Sequence, residues 1–344
     1  MKRAISIPLF AAIYVAILSS LLLCQEKPAP TLKLEEPYYD AFLPAASGEQ
    51  FWDKDYLITY GFGGTHDAHP SKPAIVLYDK YGKVAHEGIA WLKDTDRTSI
   101  SHVAVSRTGR IVFAGGASNS KGVIRNFIGE INDKGVVGRV IRTSPFLAKA
   151  VCIDADDGTV WALGRDRDDL GYKNLSPFLL RQYSFTKDHK LVATLDATHL
   201  SKRWRLISAY PTETSLRCIP GRVVVYSARA DDYVEYNTIT NTLKVAKVEP
   251  VPPFKEAKIT GFALTDRGDA YISLDQRNVK APRGGLFKLQ FDSSGLGKWI
   301  PIENTVGLYG KPGTVEYLWG TDGSNLIYSH DWNGRAYWSA VTAK

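Results

Sequence analysis

Val103-Ala104-Val105-Ser106-Arg107-Thr108-Gly109-Arg110-Ile111-Val112-Phe113-Ala114-Gly115-Gly116 is two short apolar runs around a turn that centres on glycine. Alternating runs broken by such a turn read as a β-hairpin. The unit returns at Val151-Cys152-Ile153-Asp154 with Gly158-Thr159-Val160-Trp161-Ala162, and again at Phe262-Ala263-Leu264 with Gly268-Asp269-Ala270-Tyr271-Ile272. Turn glycines at 109, 158, 221, 268 and 323 are 47 to 63 residues apart. An earlier unit, Phe51 to Tyr60, turns at Lys54-Asp55 and makes six.

A second pair of strands follows each hairpin, with its own polar turn, as in Ile75–Asp79, Lys80-Tyr81-Gly82 and Val84 onward. Four strands in roughly 50 residues, repeated, are the mark of a β-propeller. The expected fold is therefore all-β: a six-bladed propeller with four-stranded blades. The last unit is short of an outer strand. The alternating Thr31-Leu32-Lys33-Leu34-Glu35 can supply it by pairing with the C-terminal strand, which removes two unpaired edges.

Composition agrees with that reading. The 344 residues are 44% hydrophobic and 23% charged, ordinary for a folded chain. One methionine against 18 tyrosines and 29 glycines suits strands and tight turns. A net charge of +7, not gathered into runs, is not the clustered basic face expected of a nucleic-acid binder. No nucleic-acid partner is expected, and the chain reads as a monomer.

Lys2 and Arg3 precede an apolar run from Ala4 to Leu23. This is the pattern of an export segment, with the positive flank retained and the remainder carried out. Leu21-Leu22-Leu23-Cys24 resembles a bacterial lipoprotein signal, in which Cys24 becomes the lipidated first residue. An uncleaved anchor and ordinary cleavage are the other two readings. Residues 1–24 are thus the signal or anchor, 25–37 a proline-rich tether with the closing strand, and 38–344 the propeller. The expected location is the periplasmic or extracellular side of a membrane. Cys152 and Cys218 share a repeat column with Ala104 and Ala263. A column of small apolar residues favours two buried thiols over a bridge.

Val103–Gly116 and Gly261–Leu274 resemble the repeat of six-bladed propellers of the NHL and SMP-30/gluconolactonase-like group. In the enzymes of that group a glutamate on the first inner strand helps hold a divalent metal, and Gly48-Glu49-Gln50-Phe51-Trp52 is similar to that element. The resemblance therefore implies Glu49 as a metal ligand, with calcium or zinc as the cation. The asparagine and aspartate ligands of the group have no counterparts here, and a hard cation needs several oxygens.

Loops joining the second and third strands of each unit emerge on one face of a propeller, and here they are polar. They carry His66, Asp67 and His69; Arg165, Asp166 and Arg167; Arg229 and Asp231; Arg277; and His330, Asp331 and Trp332. Rigid scaffolds commonly present function on such loops. The arginines suit a carboxylate or phosphate, and Trp332 suits stacking. No serine has recognisable histidine and acid partners. The expectation is an exported, membrane-tethered propeller that binds a protein or a small polar or anionic ligand on its loop face, without catalysis or cofactor. The alternative is a metal-dependent hydrolase or lactonase.

Overall fold

The computed structural model of the protein describes residues 32–39, 49–61, 72–121, 124–153, 158–166, 179–186, 190–195, 214–228, 231–250, 258–275, 286–302, 316–323, 325–332 and 335–343. Their strands form four-stranded antiparallel sheets, six of them among the described residues. The first sheet is β2 (Glu49–Asp53), β3 (Tyr56–Gly61), β4 (Ala74–Tyr78) and β5 (Val84–Ile89), after an N-terminal β1 (Leu32–Tyr39). The second is β6 (Arg97–Val105), β7 (Ile111–Ser118), β8 (Ile124–Ile131) and β9 (Val137–Arg142). The third is β10 (Phe146–Cys152), β11 (Thr159–Asp166), β12 (Leu179–Ser184) and β13 (Lys190–Leu195). The fourth is β14 (Thr214–Ile219), β15 (Arg222–Ser227), β16 (Asp232–Asn237) and β17 (Thr242–Lys247). The fifth is β18 (Lys258–Leu264), β19 (Ala270–Asp275), β20 (Leu286–Phe291) and β21 (Gly297–Pro301). The last is β22 (Glu316–Asp322), β23 (Asn325–Trp332) and β24 (Arg335–Ala343), with β1 as its outer strand. The architecture is an all-β propeller with four-stranded antiparallel blades.

Local chemistry makes these hairpins. Gly109, Gly158, Gly221, Gly268 and Gly323 all have φ between 73° and 88°, the left-handed region that a side chain resists. The turns between third and fourth strands add a second device to the same glycine conformation, seen there at Gly82, Gly135 and Gly295. The Asp79 carboxylate accepts from the amides of Tyr81 and Lys83, Asn132 from Lys134 and Val136, and Asp292 from Ser294 and Leu296. Such side-chain caps are the reason Asx residues open turns.

The core lies between the sheets. Trp161, Leu163 and Leu180 of the third sheet pack on Leu216, Val225 and Tyr236 of the fourth. Equivalent clusters join the second to the third, the fourth to the fifth, the first to the second and the fifth to the last. Trp52, Leu57, Val76 and Tyr78 of the first sheet meet Ile327 of the last. Among the described residues each sheet contributes apolar side chains to two such clusters, one shared with each neighbour.

β1 pairs antiparallel with β24, Leu32 opposite Ala343 and Leu34 opposite Val341. The strand runs on to Tyr39, past the expected end of the tether at 37, and its register shifts at Pro37. An edge strand tolerates proline because it needs no donor on the open side.

One expectation is corrected. Cys152 and Cys218 are not free thiols but a disulfide, with Cα atoms 5.5 Å apart. Both are buried, on the innermost strands of adjacent sheets. Sharing a repeat column is the cause: equivalent positions on neighbouring inner strands face each other across the blade interface.

Candidate functional site

The antiparallel order gives the propeller two faces. Turns joining strands one to two and three to four leave on one, here the turn face. Connections from strand two to three, and from sheet to sheet, leave on the other, the loop face. The innermost strands surround the axis between them.

At the turn face the axis is closed. Lys54, in the first hairpin turn with φ 55°, is 7% exposed. Its ammonium donates to the carbonyl oxygens of Val105 at 2.9 Å and Ile153 at 2.7 Å, at the ends of the second and third inner strands. Arg107 of the second hairpin forms an ion pair with Asp266 of the fifth, across the axis. The Asp266 amide donates to the Gly323 carbonyl of the last hairpin. One cation, one ion pair and one backbone bond thus tie five hairpin ends together.

Above this closure lie two basic side chains. Arg217, on β14, donates from one terminal nitrogen to the Leu216 carbonyl at 2.9 Å and from the other to the Phe262 carbonyl of the next sheet at 3.2 Å. Burial lowers its guanidinium below the ordinary value, and the Asp53 charge restores this only in part. His102, on β6, stacks on Phe51 with ring centroids 5.3 Å apart. The Val151 amide donates to its Nδ1 at 3.4 Å. Burial, then the Arg217 charge, push its imidazole down to about 3, so it is neutral at physiological pH. Both side chains sit deep enough for burial to dominate their titration, yet both keep part of their surface open. Their partners Phe51, Val151 and Phe262 lie on the innermost strands of three other sheets, so both side chains stand among the strands that wall the axis.

A recurrent irregularity shapes this wall. The first two strands slip register between Ile100 and His102, Ala148 and Ala150, Ile259 and Gly261, and Leu318 and Gly320. Each slip leaves one extra inner-strand residue, Ser101, Lys149, Thr260 or Trp319. Bulges bend a strand and re-aim side chains, and His102 follows one directly. The inner strands also approach closely. A Cβ on Gly261 would lie 2.0 Å from the Leu318 oxygen, and one on Gly320 1.9 Å from the Trp52 oxygen.

A second polar cluster lines a cleft of about 640 Å³ between the outer parts of the first two sheets, with His86, Glu87, Arg110, Glu130 and Arg139 on its walls. Burial alone would raise the Glu130 carboxyl, but hydrogen bonds from Arg139 and Arg110 and their charges outweigh it and hold it below the ordinary value. Both guanidinium groups also cover the Phe185 ring, at 5.6 and 5.4 Å. Glu130 takes the Nε of Arg110 and two nitrogens of Arg139, all within the second sheet, whereas both terminal nitrogens of Arg110 are buried without a hydrogen-bond partner among the described residues.

Of the residues picked from the sequence, Cys24, His66, Asp67, His69, Arg167, Arg229 and Arg277 lie outside the described residues. Arg165 and Asp166 end β11, and Asp166 accepts from Arg181 at 2.9 Å while Arg181 covers the Phe146 ring at 4.4 Å. Asp231 sits in the turn before β16 with φ 52°. His330, Asp331 and Trp332 are strand rather than loop: β23 runs through Trp332, which pairs with Arg335. Glu49 opens the innermost strand of the first sheet, and no group of three or more His, Cys, Asp or Glu suited to a metal occurs among the described residues. His102 and Arg217 are not singled out by the sequence patterns above. A signal is present: Arg217 precedes Cys218 where Val103, Val151 and Phe262 stand in the other repeats.

No family model matches the chain, and no curated protein does. Among solved structures it is similar to U3-55K at 9% identity, over 84% of this chain and 92% of that one, with TM-score 0.43. It is similar to the RRP9 WD40 repeats at 9% identity over 93% and 100%, TM-score 0.45, and to the hydrazine synthase of Kuenenia stuttgartiensis at 12% over 93% and 98%, TM-score 0.40.

Proposed function

We propose that the protein is an exported, membrane-tethered six-bladed propeller, with a repeat of the NHL and SMP-30-like kind, that takes a small polar ligand through its loop face and does not catalyse a reaction on it. A propeller is compatible with a binding role, protein binding included. The observation that carries the choice of ligand and face is the closure of the axis at the turn face by Lys54 and the Arg107–Asp266 pair, above which Arg217 and His102 stand on the channel wall.

The Cys152–Cys218 bridge supports export, because such bridges persist in oxidising compartments. The strand register supports the tethered orientation. Leu32 pairs with Ala343, so β1 starts at the turn face and the chain before it leaves there. An anchor at the N-terminus then holds the turn face toward the membrane and the loop face away from it.

The test is denaturing extraction of the purified full chain in detergent, with mass spectrometry of what is released. The expected result is one polar small molecule in near-stoichiometric amount, rebinding after removal. A chain that releases and rebinds nothing small, yet holds one protein until Arg165→Ala and Arg229→Ala are introduced, would overturn the small-ligand reading in favour of a protein dock.

A further inference from the structure

We propose that Arg217 and His102 form an anion site inside the axial channel, and that its ligand is a small monocarboxylate. The proposal rests on the loop-face reading above and names the ligand class. A guanidinium has five N–H donors, and two are spent on the Leu216 and Phe262 carbonyls. Three remain, and the side chain keeps part of its surface open to a ligand or to water. Among the described residues no carboxylate lies within ion-pair distance of Arg217, and Asp53 acts on it only through space.

A guanidinium held among inner strands is hydrated on part of its surface only, and an anion would replace the hydration it has lost. A planar carboxylate fits the free edge of the guanidinium. His102 adds a second donor: with Nδ1 accepting from the Val151 amide, the neutral ring carries its proton on Nε2. Phe51 lies flat on that ring and gives the site an apolar wall. Asp53 opposes a second negative charge, which favours a monocarboxylate over a phosphate dianion.

The experiment is calorimetric titration and thermal unfolding of the full chain in detergent, in chloride-poor buffer, with acetate, benzoate and inorganic phosphate as probes. Benzoate and acetate are expected to bind the wild type and raise its melting temperature, phosphate at least tenfold more weakly. Arg217→Met is expected to lose affinity at least tenfold while melting no lower than the wild type without ligand. That second readout separates a ligand-binding arginine from a structural one. Should Arg217→Met not fold, Arg217→Lys keeps the charge without the fork and is expected to lose affinity at least fivefold. Equal affinity in wild type and Arg217 variants, or no binding of a carboxylate to any form, overturns the proposal. Lys54→Met combined with Arg107→Ala removes the side-chain part of the turn-face closure. Binding that appears only in that variant, and still needs Arg217, would uphold the anion site and overturn the loop-face reading alone.

Discussion

Cys152 and Cys218 occupy equivalent positions on adjacent innermost strands and are covalently joined, which ties the third sheet to the fourth at the axis. The bridge closes a loop with a sequence separation of 66 residues. Constraining the unfolded chain over such a loop is worth about 4 kcal/mol. Reduction, or Cys218→Ala, is expected to lower stability by that order in urea titrations. Alkylation of the denatured, unreduced chain should leave both cysteines unlabelled; label on either would refute the bridge.

Lys54 holds the carbonyls of two other sheets with one ammonium. Hydrogen bonds from a charged donor are worth about 1.5–3 kcal/mol each, less the desolvation of the ammonium. Lys54→Met keeps the stem and removes the donor. A loss of roughly 2 kcal/mol is expected by chemical denaturation, whereas substitution of the exposed neighbour Asp55 by Asn should change little.

Where repeated local chemistry decides structure, the sequence is readable. The turn glycines fall in the left-handed region because a hairpin of this geometry needs them there. The closing strand is legible because Leu32 and Leu34 alternate and the last repeat lacks an edge. The disulfide is hidden because a column of small residues has the same one-dimensional pattern whether its members face empty space or each other. The axial residues are hidden for a related reason. Arg217 looks like an exposed strand residue until the propeller places other innermost strands around it. Trp332 reads as loop because Asn333-Gly334 signals a turn without stating how short the turn is.

Gly261 and Gly320 set the distance between innermost strands. A methyl at either meets a backbone oxygen at about 2 Å, and backbone cannot rotate aside. Gly261→Ala and Gly320→Ala are each expected to cost about 2 kcal/mol or more, the range of forced overpacking. A methyl on Gly295 would meet nothing within 4 Å, although the φ there is 83°. Gly295→Ala should therefore show only the smaller backbone cost, about 1 kcal/mol. Equal losses in all three would show that the close approach is not what selects glycine.

Given the proposed N-terminal anchor, the register of β1 predicts an orientation at the membrane. From Cys24 to Leu32 the chain spans at most about 28 Å when fully extended. The turn face, where Tyr81 and Ile239 are 71% and 80% exposed, then lies near the bilayer. Cysteines placed at Ser120 on the loop face and Thr240 on the turn face should react at similar rates with a bulky thiol reagent in detergent. In proteoliposomes the Thr240 site is expected to slow at least fivefold relative to Ser120, read by peptide mapping. The reverse order would place the loop face toward the lipid.

His102 makes stability depend on pH in a stated direction. Burial and the nearby Arg217 hold the folded imidazole near 3, against about 6.5 in the unfolded chain. Between those values the unfolded state binds a proton that the folded state does not, so stability rises with pH through that window and falls on acidification. From pH 6.5 to pH 5 the loss from this one group is roughly 1 to 1.5 kcal/mol, allowing for its partial exposure. Most carboxylates stay ionised in both states over that interval, and the difference between wild type and His102→Asn isolates this ring from the other six histidines. Urea midpoints at three pH values across it should converge for His102→Asn and diverge for the wild type. An unchanged slope in His102→Asn would mean that the ring is protonated in the folded protein, and the site beside Arg217 would then hold two positive charges rather than one.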